Sequence, residues 1–517
     1  SINFLVSLNY SSCLRFGLGF ANIFKLTQQM LFTIYFNEKI IFARIKIQIM
    51  KILNFIVSLC CFANVVTAQN YSIFGKVDGM SDGEVLLGYY YGDKQYVKDT
   101  VKSHHGFFHF ESEENLESGV YFILLPEKQH FQIILDETRN FSFETDVNDL
   151  VGSMDVKGSV ENQLFYKYQK FTQQKSREAN PIKKALKSVK KASKKHKKLS
   201  KELESINKEV TEFKLDYIKN HPSTFFVKLL KAMEPVYIPE PSKDKNGEID
   251  EEFQYNYFMS HYWDHVDLSD DRMIRTPIFH NIMQKYLDEH TLQIPDSINK
   301  SLDTLINKAR ASQELFKYII NWSTHHYESS KIMGQDAVFV HLVFTYFVTR
   351  QTPWIDEVQL TNIINKAMRI SPNLIGSKAP YIRIPDDKGI QQDLHKVDAT
   401  FTALFFYDPD CGHCKEETPK VKEIIASYAD KGVKVYAVCT EFDEEMWKKF
   451  IQEQEIEDWI NVIDLENTSN FRGKYNVMGT PRLFLLDAKK KIIAKQIDSK
   501  LLGEILENEF KLLESNN

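Results

Sequence analysis

The stretch Thr400-Phe-Thr-Ala-Leu-Phe-Phe-Tyr-Asp-Pro-Asp-Cys-Gly-His-Cys-Lys-Glu-Glu-Thr-Pro419 decides the fold of the C-terminal part of the chain. It opens with a continuous apolar run, the pattern of a parallel strand buried on both faces. Cys411 and Cys414 follow at once, separated by Gly412 and His413. A helical segment over 416–429 comes next, with Pro419 inside it as an expected kink. Outward from there, strands and helices keep alternating. Val433-Lys-Val-Tyr-Ala-Val-Cys439 reads as a strand, 443–454 as a helix and Val462-Ile463 as a short strand. Arg482-Leu-Phe-Leu-Leu-Asp487 and Lys491-Ile-Ile-Ala-Lys495 read as a hairpin, and 501–513 as a terminal helix. Upstream, 380–385 and the turn Asp386-Asp-Lys-Gly389 form a short hairpin entry. This alternation predicts an α/β domain over 374–517.

The spacing of the two cysteines carries chemistry. Thiol–disulfide exchange needs a thiolate nucleophile and a second thiol within reach to resolve the mixed disulfide. Free N–H groups and the dipole at a helix start favour negative charge on the first cysteine. Cys411 is therefore expected to attack and Cys414 to resolve. His413, if protonated, adds positive charge beside the thiolate. Cys439 ends a buried-looking strand and reads as an inert core thiol. A zinc site would need two further ligands at compatible spacing, and there is no second CxxC, so no metal is expected.

Strand, CxxC, helix, a βα unit, then Gly479-Thr480-Pro481 before a hairpin: this order resembles the thioredoxin fold. The run from Phe405 to Pro419 is similar to the TlpA/ResA-like family of extracytoplasmic disulfide reductases. The resemblance implies a redox-active Cys411–Cys414 disulfide and no other cofactor. It implies protein substrates with thiols or disulfides, and a membrane electron donor or acceptor. It places Pro481 at the family's cis-proline position, with the backbone of Thr480 facing the substrate strand. Glu417 matches a glutamate near the disulfide in ResA-like reductases, where it would carry the proton of Cys414; the other reading is a solvated glutamate. Gly412-His413 is also the dipeptide between the cysteines of protein disulfide isomerases, so isomerase and oxidase stay open beside reductase. Asp410 departs from the pattern, because thioredoxins and many relatives have Trp before the first cysteine. A peroxiredoxin resembles Pro-x-x-x-Thr-x-x-Cys, and Asp408 stands here instead of Thr.

Upstream, 69–165 contains short aromatic and β-branched runs with turn signals between them, predicting a small antiparallel sandwich or barrel. From about 162 the pattern turns helical, and 166–221 reads as a lysine-rich helical hairpin. Ile182, Leu186, Val189, Leu199, Leu203, Ile206, Val210, Phe213 and Tyr217 mark a narrow apolar seam, as in a helical hairpin. Ten lysines lie between Lys183 and Lys201. They read as the solvated face of an exposed helix rather than a nucleic-acid or anionic-membrane patch, because no Arg or aromatic interleaves with them. Residues 222–373 read as a helical domain whose aromatics pack a core. His261, His265, His325 and His326 match no metal-ligand spacing. The whole resembles multidomain Bacteroidetes-type proteins with a β domain and a helical domain ahead of the thioredoxin module. An envelope-binding protein with an accessory redox module is the non-enzymatic alternative.

Residue 1 is Ser. Met50, Lys51, an apolar run and Val66-Thr-Ala68 have the layout of a secretory signal peptide over 50–68, cleaved after Ala68. This predicts export to the periplasm or cell envelope. Lipidation at Cys60 or Cys61 is the alternative, disfavoured by the bulky Leu59. Residues 1–49 then read as an over-extended reading frame with Met50 the true start. Removing Cys13, Cys60 and Cys61 leaves three cysteines, too few for a disulfide-stapled scaffold. A net charge of −5 gives the chain as a whole no reason to bind nucleic acid.

Overall fold

The computed structural model describes residues 71–515, apart from 192, 242, 244–246, 248–249 and 251. Met50, the signal-like segment 50–68 and Cys13, Cys60 and Cys61 lie outside the described residues. The architecture is β-rich, then helical, then α/β.

The β-rich part comprises β1 (Tyr71–Asp78), β2 (Glu84–Tyr91), β3 (Lys94–Lys102), β4 (Phe107–Ser112), β5 (Gly119–Leu124), β6 (His130–Leu135), β7 (Asn140–Asp146) and β8 (Asp155–Lys157). They form two sheets, ordered β4-β1-β7-β8 and β3-β2-β5-β6. Both orders are open, so of the two expected forms the sandwich is the one found. Alternate residues of β1 (Tyr71, Ile73, Val77) face the core, as period-two patterning requires. β1 also pairs in parallel with β7, which a purely antiparallel expectation omitted. Sequence reading missed β3 as well. No residue of that strand is buried, so it carries no apolar alternation; it is an edge strand rich in lysine.

Two long helices follow, α1 (Val160–Ser188) and α2 (Lys194–Asn220). α1 starts two residues ahead of the expected 162, where the Ser159 hydroxyl accepts from Asn162 N (3.3 Å) and caps it. The shorter helices α3 (Phe225–Ala232), α4 (Phe253–His261), α5 (Phe279–Gln284), α6 (Pro295–Lys308), α7 (Gln313–Glu328), α8 (Asp336–Leu342) and α9 (Glu357–Ile370) complete the middle of the chain. One hydrophobic cluster runs from Tyr71 to Ala367 without a break at 165 or 221. Gly92 shows why the β and helical parts pack so closely. Its φ is +60°, its N–H donates to Ile274 O (2.9 Å), and a Cβ there would overlap the Tyr318 ring.

The α/β part begins with the hairpin β9 (Arg383–Pro385) and β10 (Gln391–Asp393). There follow β11 (Phe401–Tyr407), α10 (Gly412–Ala426), β12 (Val433–Cys439), α11 (Glu444–Gln454), β13 (Ile460–Ile463), α12 (Phe471–Lys474), β14 (Arg482–Leu486), β15 (Ile492–Lys495) and α13 (Ser499–Ser515). The sheet order is β13-β12-β11-β14-β15, parallel through β11, β12 and β13 and antiparallel beyond. Every residue of β11 is buried. Its side chains feed two layers: Phe405 and Tyr407 pack with Trp447, Leu502 and Phe510, and Leu404 and Phe406 with Phe471 and Tyr475. This is a thioredoxin-like sheet, with the central strand ending where the cysteine motif begins.

Candidate active site

The site grows out of the end of β11. Asp408-Pro409-Asp410 turns the chain, and Cys411 becomes the N-cap residue of α10. α10 begins at Gly412, four residues earlier than the pattern of charged residues indicated, because the motif itself forms the first turn. The Cys411 carbonyl accepts from Cys414 N and Lys415 N, each at 3.1 Å. Cys411 is partly exposed, whereas Cys414 is fully buried.

The two thiols differ electrically. Burial pushes Cys411 up. The N–H of Cys414, the side chains of Cys414 and Thr480, and the N–H of His413 outweigh it and hold the thiol below its ordinary value. Burial dominates at Cys414 and pushes it up to about 12. Asp408 opposes that rise, its N–H donating to Cys414 Sγ at 3.5 Å. Asp408 also accepts from Cys411 N (3.1 Å), so its backbone holds both cysteines. Sequence reading had used Asp408 only as a missing threonine. Nothing local marks a backbone contact that the turn creates.

The remaining site residues arrive from elsewhere in the chain. The Thr480–Pro481 peptide bond is cis, and Thr480 O lies 3.6 Å from Cys411 Sγ. His413, Glu417 and Pro481 line one cleft of about 500 Å³ together with Phe405, Lys420 and Asp498. The His413 side chain is exposed, and its influence on Cys411 runs through its backbone N–H. Glu417 is part-buried at the cleft, and its hydrogen bonds go to groups other than Cys414. Its carboxylate accepts from Ser499 N, at the start of α13, and from Lys420 Nζ (3.4 Å). Asp410, at the departing position, is exposed and lies 3.5 Å from Lys415 Nζ. Cys439 is buried, and burial lifts its thiol to about 12.

The Redoxin family model matches residues 374–504. The thiol-disulfide oxidoreductase ResA of Bacillus cereus is 26% identical over 123 residues, which cover 24% of this chain and 69% of that protein. A domain of a possible thiol-disulfide isomerase from Cytophaga hutchinsonii is 40% identical, covering 28% of this chain and 99% of that one, with a TM-score of 0.27. The chain belongs to the TlpA/ResA-like thioredoxin family. It is accordingly a thiol–disulfide oxidoreductase. A thioredoxin-like protein from Bacteroides caccae is 20% identical and covers 53% of this chain and 99% of that one, with a TM-score of 0.40. Two models described as domains of unknown function match upstream, DUF4369 over 71–165 and DUF5106 over 190–373. Among the described residues no helix is long and apolar enough to cross a membrane.

Proposed function

We propose that this oxidoreductase works outside the cytoplasm as a protein-disulfide reductase through Cys411 and Cys414. The Cys411 thiolate attacks one sulfur of a substrate disulfide. That S–S bond breaks, a Cys411–substrate disulfide forms, and the other substrate sulfur leaves and takes up a proton. Cys414 then gives its proton to Glu417 and attacks Cys411 Sγ. The second substrate sulfur leaves as a thiol, and Cys411–Cys414 is left as a disulfide. The substrate gains two electrons and two protons, and a membrane electron donor returns the site to the dithiol.

The observation that carries this reading is the split between the two thiols: one pulled down and accessible, the other fully buried and lifted to about 12. The first suits attack on a substrate and the second suits a resolving thiol. What supports the reductase direction is the resemblance of Phe405–Pro419 to the ResA-like disulfide reductases, together with the similarity to the thiol-disulfide oxidoreductase ResA of Bacillus cereus. Thr480 and Pro481 are assigned to the substrate segment because Thr480 O faces Cys411 Sγ. The signal-like segment 50–68 supports the extracytoplasmic location.

Equilibration with glutathione buffers tests the direction. The expected potential is near that of thioredoxin, about −270 mV; a value of about −120 to −180 mV would make the protein an oxidase or isomerase. Cys414→Ser is expected to accumulate the mixed disulfide on Cys411, and Cys411→Ser to abolish it.

A further inference from the structure

The redox site leaves the lysine-rich hairpin of α1 and α2 unexplained. Near its base the hairpin is tied to the body. Asn162 bonds Ile134, Tyr166 Oη donates to Gln132 O (2.6 Å), and Gln173 and Arg177 reach Asp149. Among the described residues, α1 makes no such contact to the body beyond Arg177. The helix runs on to Ser188, roughly 17 Å farther at the helical rise. Its outer part is held by a small core of its own: Ala179, Ile182 and Ile206, with Leu186, Leu199 and Leu203 against them.

Charge changes at the same place. In the shaft, Lys175 pairs with Glu178 and Glu209, and Lys208 with Glu212. Between Glu178 and Glu202 there is no acidic residue, and the ten lysines from Lys183 to Lys201 are all exposed. Among the described residues none of those ten lies within ion-pair distance of a carboxylate. Lys183 and Lys187, Lys194 and Lys198, and Lys197 and Lys201 are like-charge neighbours one turn apart, which weakens a helix that nothing neutralises. A merely solvated face carries acids among its lysines, as the shaft does. These lysines hold +10 in a chain whose net charge is −5, so everything else sums to −15.

We propose that the free end of this hairpin is a docking surface for an anionic phospholipid membrane. α1 ends at Ser188 and α2 starts at Lys194, with their outer turns packed on one core, so a plane of phosphate headgroups can meet lysines of both helices. The projection of roughly 17 Å exceeds the Debye length of about 8 Å at physiological salt, so the acidic body stays screened from a like-charged surface. Lysine ammonium groups suit headgroup phosphates as point charges. The acid-free stretch has no Arg for bidentate base contacts and no aromatic for stacking, which disfavours nucleic acid. It also has no large apolar side chain beyond the seam, so attachment is electrostatic and reversible by salt.

Co-sedimentation of the full chain with vesicles tests this. Binding is expected to phosphatidylcholine vesicles containing phosphatidylglycerol, and to fall as salt is raised. Reversal of five exposed lysines (Lys190→Glu, Lys191→Glu, Lys194→Glu, Lys195→Glu and Lys198→Glu) should weaken it by roughly a hundredfold or more. The charge-neutral set Lys→Gln at the same positions should fall between. Neither set touches the hairpin core, and far-UV circular dichroism with disulfide-reductase turnover should match the parent. The proposal fails if the charge-reversed chain keeps the parent's preference for anionic vesicles, because the anchor then lies elsewhere. It also fails if the parent binds pure phosphatidylcholine equally well, or binds duplex DNA more tightly than anionic vesicles.

Discussion

A thiol buried as deeply as Cys414 rarely ionises unaided near neutral pH, so the resolving step proposed for it needs a proton acceptor. Glu417 shares the cleft with His413 and Pro481, but its carboxylate is held by Ser499 N and Lys420. To take the proton it must leave that cap. Glu417→Gln keeps an oxygen for Ser499 and removes the base. We expect it to slow resolution of the mixed disulfide at neutral pH on the order of tenfold, below the usual general-base range because the cap competes. The rate in the variant should climb with pH toward about 12, because Cys414 reacts only after losing its proton and hydroxide then replaces the carboxylate. Rapid-quench trapping of the mixed disulfide measures both. If the variant resolves at the parent's rate, Glu417 is a helix cap and nothing more. The cysteines themselves were legible from spacing alone. The part played by Asp408 was not, because it acts through backbone atoms.

At the scale of elements, the join between the sandwich and α1 depends on one side chain. β6 is an edge strand, and its outward N–H and C=O need partners. Asn162 supplies both: Oδ1 accepts from Ile134 N (2.8 Å) and Nδ2 donates to Ile134 O (2.7 Å). Its neighbour Glu161 accepts from Phe225 N (2.7 Å) and Phe226 N (3.1 Å), capping α3. All these groups are buried. Asn162→Leu is expected to cost about 2–5 kcal/mol, because two buried backbone groups lose their partners. Urea unfolding followed by far-UV circular dichroism checks it; a loss under about 1 kcal/mol would mean that water replaces the amide. The sequence put the change from strand to helix near 162, close to the observed start at Val160. It could not show what Glu161 and Asn162 hold, because Ile134, Phe225 and Phe226 lie far away in the chain.

Across the whole molecule, the redox module is fastened to the helical part by its edge strand. Asn373, the last residue ahead of the module, donates through Nδ2 to Lys474 O (2.8 Å). Lys495, only 5% exposed, reaches from β15 to Asp336 at the start of α8 and to Asn373 O (2.8 Å). Removing one member of such a pair strands a buried charge. Asp336→Ala is therefore expected to destabilise the docked arrangement by about 3–5 kcal/mol. Adding Lys495→Met should recover most of that loss. Denaturant unfolding of the single and double variants tests the pair, and an additive double variant would overturn the coupling.

The sequence by itself determined the α/β module, its central buried strand, the closely spaced Cys411 and Cys414 and the β-then-helical order ahead of them. Those features rest on local periodicity and fixed spacing, which need no knowledge of distant residues. Tertiary structure alone decided the rest. It brought Thr480 to Cys411, turned Glu417 onto α13, chose an open sandwich over a barrel, and placed the lysine run at the end of a projecting hairpin. Each of these depends on which residues far apart in the chain come together, and on what burial does to their charges.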